Sequence, residues 1–259
     1  MGIYKEKDIL LAMAEAIDFF GVKVSKFTKR TAADEIVNLG VSGKSKFITY
    51  LNAHCFNLFC SNEEYRKYIL SADCIYADGQ SIVWASKLSG GRLPERINAS
   101  DLIEDICLKA RAGNMKLFIL CHSKETCEKT ISNLTREFPG LKISGCYVSG
   151  DSGSENDLVN IINQYKPDIL MVGLGPPYQE GFIYRNRNSL NVNLCWAVGG
   201  LFDLLSGKFK RAPLWIRKYG LEWLFRLSQE PKRLWRRYLL GNFIFIFNII
   251  KSSVRIKAS

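Results

Sequence analysis

Residues 167–200 read PDILMVGLGPPYQEGFIYRNRNSLNVNLCWAVGG, and this stretch decides the fold. Asp168–Gly173 is a short apolar run that ends on glycine, Tyr178–Leu190 carries a helical pattern, and Asn193–Val198 is a second apolar run closed by Gly199-Gly200. Short apolar runs bounded by turn residues read as strands buried on both faces, and strand–helix–strand spacing reads as a parallel crossover. The pattern repeats upstream. Phe47–Leu51, Cys74–Ala77, Lys116–Cys121 and Leu141–Tyr147 read as four further strands. Asn52–Leu70, Ser81–Leu88, Ser100–Ala112, Ser123–Phe138 and Glu155–Tyr165 read as the helices between them, with Ser100, Ser123 and Ser154 as N-caps. Residues 7–20, with Ile9, Leu10, Met13 and Ile17, read as an opening helix. The expected class is α/β, a parallel sheet with helices on both faces.

Charge divides the 259-residue chain in two. Residues 1–206 hold 23 basic and 23 acidic side chains, whereas 207–259 hold 13 basic ones and only Glu222 and Glu230, so the whole formal charge of +11 sits in the last fifth. Three of the five tryptophans, Trp215, Trp223 and Trp235, lie there too. At ~100° per residue, Lys232, Arg233, Arg236 and Arg237 fall on one arc of a helix and Leu234, Trp235, Tyr238 and Leu239 on the other. A basic amphipathic helix with aromatic anchors fits an anionic membrane surface. Nucleic acid is the alternative partner, because basic residues interleaved with aromatics also suit phosphates and stacked bases. No apolar run reaches the ~18 residues that span a bilayer. The division expected is 1–206 for a catalytic body and 207–259 for a basic appendage.

Eight cysteines are scattered without a Cys-x-x-Cys pair, and only His54 and His122 accompany them. Reduced thiols are expected, and no zinc site, metal or cofactor. In parallel sheets ligands collect beyond the carboxyl ends of the strands. Asp78-Gly79, Gly173-Leu-Gly175-Pro-Pro177 and Gly199-Gly200-Leu-Phe-Asp203 stand at three such ends. The phosphate-loop pattern and the complete Gly-x-Gly-x-x-Gly fingerprint are absent, and so is any Asp-x-Asp pair to hold a metal on a diphosphate. The charge of a diphosphate would then be met by arginine, lysine or backbone N–H groups, and the arginines are concentrated in the tail.

Five runs together make the chain recognisable: Gly173–Glu180, Ala197–Asp203, Arg211-Ala-Pro, Gly220–Arg226 and Gln229–Tyr238, supported upstream by Leu51-Asn-Ala, Ala77-Asp-Gly79, Pro94-Glu-Arg-Ile and Ser100-Asp-Leu102. The chain resembles the WecG/TagA/CpsF family of bacterial glycosyltransferases from about residue 45 to 245. The resemblance implies a Rossmann-like domain with a C-terminal appendage that reaches both membrane and active site. It implies an inverting transferase that moves a hexose, N-acetylmannosamine or another, from a UDP-sugar donor to a polyprenyl-diphosphate-linked sugar acceptor. Such an enzyme would work at the cytoplasmic face of the bacterial inner membrane, as a peripheral protein making teichoic acid, capsule or exopolysaccharide. Self-association is the expectation off the membrane.

By the resemblance, Asp78 is the general base and Arg96 lies near sugar and phosphate. Tyr50, Asn52, Asp101, Gly173, Gly175, Gln179, Glu180, Gly199, Gly200 and Asp203 are the expected substrate-binding set. Arg226, Arg233 and Arg236 are expected to meet the acceptor diphosphate or the membrane. Two positions depart from the family pattern: Tyr50 stands where Thr is usual, and Ala99 where Gly is usual.

Overall fold

The computed structural model describes residues 15–42, 45–148 and 153–258, with side chains as far as Val254. It opens with a hairpin, β1 (Ala16–Phe19) antiparallel to β2 (Val22–Ser25). Ile17, Phe19, Val22 and Val24 are buried while Asp18 and Lys23 point outward, a period of two. The turn residues Phe20 and Gly21 both have positive φ, as a two-residue hairpin loop requires. The helix expected over 7–20 is therefore a strand over 16–19; residues 7–14 lie outside the described residues. A helix that the periodicity did not mark follows, α1 (Lys29–Ser42), burying Ala32, Ala33, Ile36 and Leu39.

The alternation then runs β3 (Lys46–Leu51), α2 (Ala53–Ser61), α3 (Glu63–Leu70), β4 (Cys74–Ala77), α4 (Gln80–Ser86), α5 (Ala99–Ala112), β5 (Lys116–Cys121), α6 (Lys124–Glu137), β6 (Lys142–Val148), α7 (Glu155–Tyr165), β7 (Ile169–Val172), α8 (Tyr178–Asn186) and β8 (Leu194–Ala197). The strands β3 to β8 form one parallel sheet in the order β4-β3-β8-β7-β5-β6. On β5, Leu117, Ile119 and Cys121 join the core shared with α1, α5 and α6, and Phe118 and Leu120 the core shared with α7 and α8. Burial on both faces explains why β3, β4, β5, β7 and β8 read as apolar runs, whereas the edge strand β6 is only half-buried. This is the α/β, Rossmann-like arrangement expected.

Two local readings change. The single helix expected over 52–70 is two helices, because extended Asn62 ends α2 and its side chain caps α3, accepting the Tyr65 N–H at 2.9 Å. At α5 the N-cap is Asn98 rather than Ser100; its Oδ1 accepts the Ser100 N–H at 3.0 Å. Ser123 and Ser154 do cap α6 and α7. No disulfide and no cluster of metal-ligating side chains occurs among the described residues.

After β8 the chain continues as α9 (Leu201–Leu205), α10 (Leu214–Lys218), α11 (Glu222–Gln229), α12 (Pro231–Trp235), a π turn over Arg236–Leu240 and α13 (Gly241–Ala258). In the π turn the Gly241 N–H reaches the Arg236 carbonyl, five residues back. The wider turn breaks the regular two-arc pattern expected over Lys232–Leu239. Leu234 is buried, but Trp235 and Leu239 are exposed. α13 docks on α2: Phe245 meets the Phe56 ring at 5.8 Å, Ile249 is buried, and Asn57 Nδ2 donates to the Gly241 carbonyl at 2.8 Å. Among the described residues no helix is long and apolar enough to cross a membrane.

Candidate active site

A cleft of about 1150 Å³ lies over the carboxyl ends of the parallel strands and under the C-terminal helices. Its floor carries Asp78, which directly follows β4 and whose N–H donates to the Leu51 carbonyl at 2.8 Å. The carboxylate accepts from Asn98 Nδ2 at 2.8 Å and from Asn52 Nδ2 at 3.2 Å. Both asparagines are N-caps. Asn52 Oδ1 accepts the Cys55 N–H at 3.0 Å, and Asn98 Oδ1 accepts from Ser100 through N–H and hydroxyl. With their oxygens committed to helices α2 and α5, their NH₂ groups must face Asp78. Burial raises the Asp78 pKa above the ordinary carboxylate value, against the lowering from Asn98, Asn52, Arg96 and Arg237. The result is a fixed carboxylate, open toward the cleft and more basic than one in water.

The second wall is the loops after β7 and β8. Gly173, Gly175, Gly199 and Gly200 line the cleft, but they do so for different reasons. A Cβ on Gly173 would collide with the Phe202 ring, and one on Gly199, which has φ of +57°, with the Tyr50 hydroxyl. These two glycines let the loops pack on the body. Gly200 faces open space, where a ligand approaches without obstruction. Behind this wall sit Gln179 and Glu180, both without exposed surface. Gln179 Oε1 accepts the Gly199 N–H at 2.9 Å, and its Nε2 donates to Tyr50 Oη at 3.3 Å and to Glu180 Oε1 at 2.8 Å. Thr49 Oγ1 also donates to Glu180 Oε1, at 3.0 Å. Burial pushes the Glu180 carboxyl up to about 7. Gln179 and Glu180 thus support the loop from behind and do not line the cleft.

The roof is cationic. Arg226 and Arg233 line the cleft and share Glu230, at 2.9 and 2.5 Å. The Arg226 guanidinium also stacks 3.2 Å from the Phe209 ring centroid. Arg96 reaches Glu222 at 3.2 Å and Asp101 at 3.6 Å. Asp101 pairs with Arg211 as well, and lies 3.4 Å from Arg217. It therefore clamps the tail to the body and does not line the cleft. Asp203, on the β8 side, meets Lys208 at 3.3 Å and His122 at 3.4 Å. Arg236 lies outside the cleft, its guanidinium 5.2 Å from the Trp235 ring centroid, while its neighbour Arg237 lines the cleft.

The lining also holds apolar side chains, Trp84 and Leu88 of the body and Ile246, Ile249 and Ile250 of α13. The outer face of α13 is apolar too: Phe243, Phe247, Ile250 and Val254 are each more than half exposed, as are Leu214, Trp215 and Tyr219. Phe243, Phe247, Ile250 and Val254 share one helix face by their spacing, and an exposed apolar face of this kind marks an interaction surface.

Of the expected site residues, the structure brings Tyr50, Asn52, Asp78, Arg96, the four glycines, Asp203, Arg226 and Arg233 to one cleft, and places Asp101, Gln179, Glu180 and Arg236 behind or outside it. Asn98, His122, Lys208 and Arg237 also line the cleft and lie outside the expected set. Asn98 has a local signal, an Asn just before a helical pattern, and Arg237 stands on the basic arc; His122 and Lys208 have none short of the fold.

The chain from residue 17 to 259 matches the model of the glycosyl transferase WecG/TagA/CpsF family. Three similar relatives are each named N-acetylglucosaminyldiphosphoundecaprenol N-acetyl-beta-D-mannosaminyltransferase. The Bacillus spizizenii protein is 35% identical over 196 residues, 76% of each chain. That of Bacillus subtilis strain 168 is 32% identical over 178 residues, 69% of each. That of Staphylococcus aureus strain MW2 is 30% identical over 244 residues, 93% of this chain and 94% of its own.

Proposed function

The chain belongs to the WecG/TagA/CpsF family of glycosyltransferases, and from that premise we propose that it transfers N-acetylmannosamine, with inversion, from its UDP derivative to a polyprenyl-diphosphate-linked N-acetylglucosamine during assembly of a cell-envelope polymer. The relatives' names supply the sugar and the acceptor. The observation that carries the reading is Asp78, a carboxylate of raised pKa held open to the cleft by two asparagines that cannot turn.

Asp78 takes the proton of the acceptor hydroxyl as that oxygen attacks the anomeric carbon from the face opposite the leaving UDP. Negative charge accumulates on the leaving diphosphate. The cleft answers it with basic side chains from body and tail, positioned before the reaction and in partly dehydrated surroundings. Residues 1–206 act as the catalytic body and 207–259 as an appendage completing the site. Apolar residues of α13 line the cleft and others on the same helix are exposed, a combination that suits a lipid-linked acceptor delivered from a membrane. The enzyme works as a peripheral protein on the cytoplasmic face, where sugar nucleotides are made.

A donor screen tests the reading. Full-length protein, a short-chain polyprenyl-diphosphate N-acetylglucosamine and a panel of UDP-sugars should give UDP release chiefly with UDP-N-acetylmannosamine. Release with another sugar alone corrects the donor, and no acceptor-dependent release with any sugar refutes the function.

A further inference from the structure

Six lysines and arginines line the cleft: Arg96, Lys208, Arg211, Arg226, Arg233 and Arg237. Five have carboxylate partners. Arg96 is held by Asp101 and Glu222, Lys208 by Asp203, Arg211 by Asp101, and Arg226 and Arg233 by Glu230. Arg237 has no ion pair among the described residues, and its Nε is buried without a hydrogen-bond partner. Its guanidinium lies 5.9 Å from the ring centroid of the adjacent Tyr238. A half-buried guanidinium without a carboxylate in direct contact is unfavourable for the protein alone. Such a group is retained where a ligand supplies the missing charge.

Helical spacing explains how it gets there. Glu230, Arg233, Leu234, Arg237 and Tyr238 follow one another at i, i+3, i+4, i+7 and i+8, and all five line the cleft. Arg236 projects from another face of the same segment and lies outside. The charge of Arg237 is felt by Tyr50, His54, Cys55 and Asp78. His54, which burial and then Arg237 drive down to about 4, stays neutral beside it.

We propose that Arg237 binds a phosphate oxygen of a substrate diphosphate next to Asp78, and so is the residue of this helix that contacts the reacting molecules. The assignment rests on the transferase reading above, and deepens it. The guanidinium offers several N–H donors to such an oxygen, two of them suited to a bidentate grip. The diphosphate belongs either to the donor nucleotide or to the lipid-linked acceptor, and the two are separated by the assay.

The test compares wild type with Arg237→Ala, Arg237→Lys and, as a charge control on the exposed surface, Lys232→Ala. Calorimetry with UDP, and with inorganic pyrophosphate as a second probe, reads the donor arm without turnover. KM for a water-soluble short-chain acceptor reads the acceptor arm. A lost charge-assisted contact should weaken one of them ~10- to 100-fold. Arg237→Lys should recover part of the loss, and Lys232→Ala should change neither. The acid limb of kcat in Arg237→Ala should also move to higher pH, since a positive charge that lowers the Asp78 pKa is gone while Arg96, Tyr50, Tyr76 and Glu222 still face that carboxylate. The melting temperature should hold or rise, because an unpaired charge is removed. Unchanged UDP, pyrophosphate and acceptor binding in Arg237→Ala overturns the proposal, as does a wild type that binds none of the three. A wild type that binds UDP, loses that binding in Arg237→Ala and still transfers no sugar supports Arg237 and refutes the proposed reaction instead.

Discussion

Asp78→Asn is nearly isosteric, and the structure says what it disturbs. The new amide must turn an NH₂ toward either Asn98 Nδ2 or Asn52 Nδ2, which lie 2.8 and 3.2 Å from the present oxygens. Neither partner can flip, because each Oδ1 caps a helix. One hydrogen bond becomes a donor–donor contact, costing about 1–3 kcal/mol. Removing a charge that burial disfavours offsets part of this. The net loss should stay below about 2 kcal/mol, a fall in melting temperature of at most ~8 °C for a chain of this size. The variant therefore remains folded at assay temperature. Its kcat should nevertheless fall ~10²- to 10⁴-fold through loss of the general base. The acid limb of the wild-type kcat profile, which should lie above the ordinary carboxylate range, should vanish. Steady-state kinetics from pH 4 to 9 on protein checked by circular dichroism decides the matter. A folded variant that turns over within about threefold of wild type, or keeps the acid limb, removes Asp78 from the chemistry.

Three other outcomes follow from the same coordinates. Glu180→Ala should lower kcat/KM for the donor ~10-fold, since Gln179 loses the acceptor that orients its amide toward Gly199; an unchanged value would mean the loop stands without this support. Truncation after Ser206 removes the roof and the helix that covers Phe56. It should leave a body that no longer floats with anionic liposomes, self-associates in sedimentation, and turns over at least ~10²-fold more slowly; flotation or turnover at the full-length level would contradict the two-part organisation. Glu35, buried with Oε1 unpartnered, is driven by burial up to about 7. Its folded pKa lies above its unfolded one, so stability is lost as pH rises from about 4.5 through 7. Glu35→Gln should therefore leave stability near pH 4 unchanged and raise it by up to ~3 kcal/mol at pH 8 in urea unfolding, at 1.4 kcal/mol per pKa unit.

The sheet was legible because all of its strands but the edge strand β6 are buried on both faces and so appear as short apolar runs. The opening hairpin was not, because Ile9, Leu10, Met13 and Ile17 offered a helical period that stops competing once Phe20-Gly21 turns the chain. The single helix read over 52–70 missed Asn62, whose capping role depends on its extended backbone and not on composition. At the site, the cleft-lining residues at strand ends were visible as motifs: Asp78, Gly200 and Asp203 among them. What a motif does not carry is direction. Gln179 and Glu180 lie in the same run as Gly173 and Gly175, yet α8 turns their side chains inward, and Asp101 faces arginines of the tail. Arg236 was expected at the site from the family pattern; it lies outside the cleft, and its neighbour Arg237 lines it.

The central claim is that this cleft transfers a sugar with Asp78 acting as base on the acceptor. It is tested most directly by the anomeric configuration of the product. Full-length protein, α-linked UDP-N-acetylmannosamine and the short-chain lipid-linked acceptor should yield a disaccharide whose new linkage is β by proton–carbon coupling in NMR, formed ~10²- to 10⁴-fold more slowly by Asp78→Asn than by wild type. An α-linked product would contradict single displacement, and β-linked product at the wild-type rate from Asp78→Asn would contradict the assignment of the base.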